Sequence, residues 1–342
     1  METNRTEIAS LGEFGLIERI RANHPSSLVE TVRGIGDDAA VVDTDGDDYS
    51  LLSTELFLEG VHFDLTFFPL KHLGYKVVSA AISDIAAMNG LPSHIIVGIA
   101  LSNRFSVEAV DEIYEGFKFA CSDFKIDLVG GDTTSSRGGL IISVSVYGKV
   151  AKSDISYRHT AKPNEIICLT GDLGAAYMGL QLLEREKQVF LVNPDMQPDL
   201  EGKDYVIQRQ LRPEARLDVI HEIREAGVVP TAMIDVSDGL ASDLLHLCKQ
   251  SGTGAVVFEE NLPIDEQTYL AGTELNLSPL TAALNGGEDY ELLFTIKQTD
   301  YDKIKNNPKI VTIGYMTGNP EEVVLHTKAE SRIPLTAQGW NF

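Results

Sequence analysis

Apolar residues recur at helical spacing over 12–22, where Phe14, Leu16, Ile17 and Ile20 form one side of a short amphipathic helix that must stop before Pro25. Residues 39–42 and 49–53 read as strands on either side of a turn-rich acidic stretch. The strongest helical pattern covers 71–89 and is closed by Gly90, with Pro92 beyond. A strand at 95–101, a helix at 107–124, a short strand at 127–129 and a strand at 140–150 follow. Residues 151–164, with Lys162-Pro163, read as a linker.

A second unit opens with a strand at 165–170 and a helix at 173–184, then a polar segment at 193–202 that reads as an exposed loop. Helices at 204–210 and 214–226, a strand at 232–236, a helix at 240–250, a strand at 254–258 and later strands complete it. Strands and helices mix in both halves, which predicts an α+β or α/β fold in two domains split near 150–160. At 342 residues the chain exceeds one typical core, which agrees with two.

Composition changes this picture in three ways. A formal charge of -23 means that a polyanion binds only through a local cationic or metal-filled site, which makes nucleic acid an unsuitable partner. Cys121, Cys168 and Cys248 are far apart and lack metal-ligand spacing, so they read as reduced core residues. No basic and apolar leader opens the chain, and no apolar run approaches the roughly 18 residues of a membrane span, so a cytoplasmic protein is expected.

The candidate chemistry lies in short acidic blocks. Gly34-Ile35-Gly36-Asp37-Asp38, Gly130-Gly131-Asp132-Thr133-Thr134 and Asp235-Val236-Ser237-Asp238-Gly239 each join glycine to carboxylate near an apolar stretch, a pattern suited to hard cations such as Mg²⁺. Each also has a plain structural reading as a turn or a helix cap. Asp84 is harder to explain structurally. At 100° per residue it falls on the apolar face of the 71–89 helix, beside Ala80 and the Val77/Met88 line, where an unpaired carboxylate is costly. A bound metal answers that cost; the structural alternatives are a salt bridge to a lysine or arginine, or a simple edge position.

Gly286-Gly287-Glu288-Asp289-Tyr290-Glu291 adds three acids in four residues, as a site or as a solvated cluster. Gly171-Asp172-Leu173-Gly174, between strand and helix, is a phosphate loop or a tight turn. The lysine-bearing phosphate loop, the dinucleotide fingerprint, the protein-kinase signatures and the Gly-x-Ser-x-Gly elbow are all missing from the sequence.

In their order along the chain these blocks resemble the thiamine-monophosphate kinase family, of the superfamily that includes aminoimidazole ribonucleotide synthetase, selenophosphate synthetase and a hydrogenase maturation protein. The stretches that carry the resemblance are 34–42, 53–63 (STELFLEGVHF), 83–88 (SDIAAM), 128–134, 170–174, 234–240, 286–294 (GGEDYELLF) and the terminal Gly339-Trp340-Asn341-Phe342. The resemblance implies an N-terminal α+β domain over 1–150 that dimerises through its sheet, and a C-terminal α/β domain over 151–342, with ATP bound between them. It implies transfer of the γ-phosphoryl group of ATP to thiamine monophosphate with several Mg²⁺ ions. It implies metal contacts from Asp38, Ser53, Thr54, Glu55, Asp84, Asp132, Asp235 and Asp238. Tyr114, Gly131, Arg158 and Ser237 match nucleotide contacts, and His62, Glu288 and Trp340 match contacts to the thiamine substrate.

Two positions depart from the family pattern. Glu55 replaces the usual Asp, so its carboxylate reaches one methylene further, and Ala81 stands where many members carry Asn. Neither removes a charge. No reactive cysteine lies near the N-terminus, which disfavours selenophosphate chemistry, and STELFLEGVHF with Trp340 disfavours aminoimidazole ribonucleotide synthesis. A binder that has kept the fold without turnover is the remaining alternative, opposed by six intact acids at the metal positions.

Overall fold

The computed structural model describes residues 7–337. Helix α1 (Gly12–Asn23) precedes strands β1 (Thr31–Arg33), β2 (Ala40–Asp43) and β3 (Asp48–Leu58). Helix α2 (Leu70–Ala87), β4 (Leu91–Leu101), α3 (Val107–Phe124), β5 (Asp127–Ser135) and β6 (Ile141–Ala151) complete the first unit. Its six strands lie in the order β1-β2-β3-β6-β4-β5, with β4 and β5 parallel and the other pairs antiparallel.

Period-two alternation turns Ile95, Val97 and Ile99 of β4 and Ile142, Val144 and Val146 of β6 onto α2. The opposite sheet face leaves Leu52, Leu56, Ile96 and Val129 exposed. Strands β3 and β5 run further than their sequence patterns predict. Gly131 explains β5: a Cβ there would lie 2.1 Å from the Val97 carbonyl oxygen, so glycine lets the parallel strand close on β4 and continue through Asp132.

The second unit begins with β7 (Ile166–Thr170), α4 (Ala175–Val192), α5 (Asp204–Leu211) and α6 (Leu217–Glu225). It continues through β8 (Ala232–Val236), α7 (Leu240–Ser251), β9 (Gly254–Phe258), α8 (Glu266–Leu275), α9 (Pro279–Asn285), β10 (Glu291–Ile296), β11 (Ile310–Thr317), β12 (Val323–His326) and β13 (Arg332–Pro334). The strand order is β13-β12-β9-β11-β7-β10-β8. Helices alternate with the strands, yet the pairing is antiparallel except between β9 and β12. Residues 152–165 hold no helix or strand, and 193–202 form an exposed connection.

Helix α2 organises the molecule. It is buried on almost every side, because one flank lies on the first sheet and another faces β8 of the second unit. One apolar core joins α2 residues such as Ile82 and Ile85 to Met233, Leu292 and Phe294. Helix α3 approaches α2 at Gly74 and Gly116, where an added Cβ would meet opposing backbone at 2.2 Å. The three cysteines are free, and burial pushes the Cys168 and Cys248 thiols up to about 12. Among the described residues no helix is long and apolar enough to cross a membrane.

Candidate active site

A cleft of about 660 Å³ opens between the two units. Its acids come from separate elements: Asp37 and Asp38 from the loop before β2, Glu55 from β3, Asp84 from α2, and Asp235 and Asp238 from the end of β8. Asp243 of α7, Glu288 before β10 and Glu13 of α1 add three more, against one guanidinium from Arg158. One carboxylate oxygen from each of Asp38, Asp84 and Asp235 lies within 4.8 Å of the others.

Close packing of like charge out of water raises the acids' affinity for protons. Burial first, and then Asp38, pushes Asp235 up to about 7, although Ser83 Oγ donates to its Oδ2 at 2.7 Å. Burial, then Asp238 and Glu13, raises Glu55 to about 7. Asp84 is driven well above the ordinary range by burial and then by Glu55, Asp235 and Asp38. Burial disfavours the charge on Arg158, but Asp38 outweighs it: Nε donates to Asp38 Oδ2 at 2.7 Å and Nη2 to Oδ1. Arg33 pairs with Asp37 and Lys76 with Glu288, but Arg158 alone does not neutralise Asp38, Glu55, Asp84 and Asp235. Oxygen donors converging in this way suit hard divalent ions.

The opposite end of the cleft is built differently. The Gly287–Glu288 turn docks on β8 through Glu288 N donating to Ser237 O at 2.8 Å and Tyr290 N donating to Val236 O at 2.9 Å. Glu288 adopts a left-handed φ of 58°, strain that aims its side chain and that the docked turn sustains. His62 Nδ1 accepts from Leu58 N at 3.0 Å, which leaves the proton on Nε2, and burial lowers its basicity so that the ring is neutral. Lys187 of α4 ion-pairs with Asp64 at 2.7 Å and ties the loop that carries His62 to the second unit.

Asp38, Thr54, Glu55, Asp84, Asp235, Asp238, Arg158, Ser237, His62 and Glu288 therefore all border one cleft. Ser53 lies beside it with its hydroxyl 3.5 Å from the Ala81 carbonyl oxygen, and the Thr54 hydroxyl turns outward to Ser145 at 3.1 Å. Gly131 and Asp132 lie instead on exposed β5, and Tyr114 borders a surface groove between α3 and β5, so this chain's own cleft does not gather these three. Trp340 lies outside the described residues. Gly171–Gly174 is a tight turn whose Gly174 N donates to Asp289 Oδ2 at 2.8 Å, so a carboxylate already fills the place a phosphate would take.

Several lining groups escaped the sequence reading. Asp243 accepts from Asp238 N at 3.2 Å and lies on the buried side of α7 with Leu240, Leu244 and Leu247. The helical-wheel reasoning that singled out Asp84 would have found it. Tyr290 is buried and borders the cleft beside Glu288. Glu13 and Phe14 belong to α1, which buries none of its residues and roofs the cleft through Phe14 on His246, with ring centroids 3.6 Å apart. A lone amphipathic helix gives no sign of such a role.

The fold of these two units, joined by a shared helix with carboxylates from both at the seam, is aminoimidazole ribonucleotide synthetase-like by comparison with known proteins. The family model for the N-terminal domain of AIR synthase related proteins matches residues 36–150. Thiamine-monophosphate kinase of Bacillus subtilis is 33% identical across 97% of this chain and 99% of its own length. The enzyme of the same name from Escherichia coli K12 is 34% identical, covering 84% and 83%. A solved structure of AaThiL complexed with AMPPCP and TMP superposes with a TM-score of 0.81 at 30% identity, covering 97% of both chains. The chain belongs to the thiamine-monophosphate kinase family.

Proposed function

We propose that this protein transfers the γ-phosphoryl group of ATP directly to thiamine monophosphate, giving thiamine diphosphate and ADP. The cleft itself carries the reading: converging carboxylates and one arginine at one end, and a carboxylate with a neutral imidazole at the other. The acceptor is a phosphate monoester with a second pKa of about 6, already anionic at neutral pH, so the reaction needs no strong base. Its obstacle is repulsion between two phosphates, and positioning with charge neutralisation is the remedy.

Asp38, Asp84 and Asp235 would hold Mg²⁺, with Glu55 and Asp238 beside them. When bound, the ions supply the positive charge that offsets the phosphates' mutual repulsion. Arg158, held charged by Asp38, would meet nucleotide oxygens with the guanidinium N–H groups that Asp38 does not take at Nε and Nη2. Ser237, at the entrance to α7, adds a hydroxyl there. At the far end Glu288 faces the cationic, amino-bearing rings of thiamine, and the Nε2–H of His62 offers a donor. In this reading residues 1–150 supply most of the metal-binding acids, and 151–342 supply Arg158, the β8 acids and the thiamine end.

The exposed apolar strip of Leu52, Leu56, Ile96 and Val129 supports a homodimer formed on the first sheet. In this reading Tyr114, Gly131 and Asp132, which their own cleft does not gather, would serve the cleft of the second copy. Direct transfer is tested with ATP labelled in the γ-phosphate. All label should pass to thiamine diphosphate; label retained covalently on protein would overturn this route.

A further inference from the structure

Lys76 is a fully buried charged side chain on a helix otherwise packed with Val77, Val78, Ala80 and Ala81. Only 1% of it is exposed, and a buried ammonium is costly unless paired. Among the described residues its ion pair is with Glu288, Nζ to Oε1 at 2.8 Å, and Nζ also stands 5.4 Å from the centre of the Phe68 ring. Gln210 Nε2 donates to the other Glu288 oxygen at 2.9 Å. Both oxygens of Glu288 are thus held, one from α2 of the first unit and one from α5 of the second.

We propose that Lys76 is a positioning residue: its buried ion pair fixes the Glu288 carboxylate as an aimed anion, and so sets affinity for the cationic, amino-bearing end of the acceptor. The proposal rests on the reading of Glu288 as a thiamine contact. A leucine or methionine would fill the same volume without the cost of desolvation, so a charge kept here has a task that packing does not explain. Lys76 also disfavours charge on neighbouring His62, where burial acts in the same direction and Glu288 opposes both. The acceptor ring then meets one anion and one neutral donor rather than an anion and a cation.

Helix geometry extends the same idea. Lys76 and Asp84 are on one helix, about 12 Å apart along its axis at 1.5 Å per residue. A rigid element therefore fixes the separation between the ring end of the cleft and its acidic end.

The test is a double-mutant cycle of Lys76→Met and Glu288→Gln, with kcat, KM for both substrates and Tm measured for each protein. Glu288→Gln should raise KM for thiamine monophosphate by about tenfold or more, with kcat within about threefold and KM for ATP unchanged. Lys76→Met should do the same, and the double variant should exceed Glu288→Gln by no more than about twofold, because a lost aim cannot be lost twice. An unchanged KM in Lys76→Met beside a raised KM in Glu288→Gln overturns the proposal alone. Fully multiplicative effects overturn it too, since they would mean that Lys76 acts independently. An unchanged KM in Glu288→Gln removes the underlying reading of Glu288 as well. If Lys76→Met does not fold, Lys76→Gln, which keeps a donor without the charge, must still raise KM for thiamine monophosphate selectively; a fall in kcat alone contradicts the role.

Discussion

Asp84 stands on a helix where a purely structural sequence would place alanine or leucine, and its neighbours across the cleft are carboxylates rather than a lysine. Glu55 and Asp235 share its environment. Both have their protonation midpoints raised in the folded state to about 7, from ordinary values of 4.5 and 3.8. The sign of the linkage follows. A carboxyl raised in the folded state contributes stability below its unfolded value and loses that contribution as pH rises through the folded one. The metal-free protein should therefore melt at a lower temperature at about pH 8 than at about pH 5.5, and Mg²⁺ should restore most of the loss at the higher pH. Calorimetric Tm values with chelator and with Mg²⁺ check this, and a Tm that ignores both pH and metal contradicts it. Asp38, Asp84 and Asp235 were legible in the sequence because each breaks an apolar pattern or ends a glycine-rich block. Asp243 breaks the pattern of α7 in the same way, but it lies in the first turn of that helix, where an acid is also ordinary on structural grounds. Lys76 was hidden by the length of its stem, which reads as an ordinary amphipathic edge.

Helix α2 positions the site, and its placement depends on two glycines. Gly74 and Gly116 let the α2 and α3 backbones touch, with no room for a methyl group on either side. Gly74→Ala should cost about 1–3 kcal/mol through overpacking, seen as a lower urea midpoint, and should reduce activity as α2 shifts Asp84. An unchanged midpoint would mean that the contact is slack. Helix α3 spans the residues its periodicity predicts, and α2 and α7 differ from their patterns only at their ends, whereas α4 runs on to Val192 past the expected 184 and α8 and α9 are not expected from the sequence at all. The strands β3 and β5 were read too short. Polar Ser53-Thr54-Glu55 and the Gly130-Gly131-Asp132 block resemble turns locally, but pairing with β6 and β4 carries them on as strands. The mainly antiparallel pairing of the second sheet was not legible, because helix and strand alternation alone does not specify which strands become neighbours.

At the scale of the whole molecule, a shared core makes the two units one folded body with the reactive cleft at their seam. The residues that do not reach this cleft, Tyr114, Gly131 and Asp132, lead to a specific expectation for the proposed dimer. Asp84→Asn and Asp132→Asn should each be inactive alone, while co-expressed chains should regain activity, because one cleft of each mixed dimer then holds both native acids. No recovery would place both acids in the service of one chain. The central claim is the acceptor and the bond formed, and a product assay with ATP and Mg²⁺ tests it most directly, comparing thiamine monophosphate with free thiamine. Thiamine diphosphate formed from the monophosphate, with no phosphorylation of free thiamine, is the expected result. A protein that binds ATP and Mg²⁺ yet forms no thiamine diphosphate, or that phosphorylates free thiamine equally well, would contradict it.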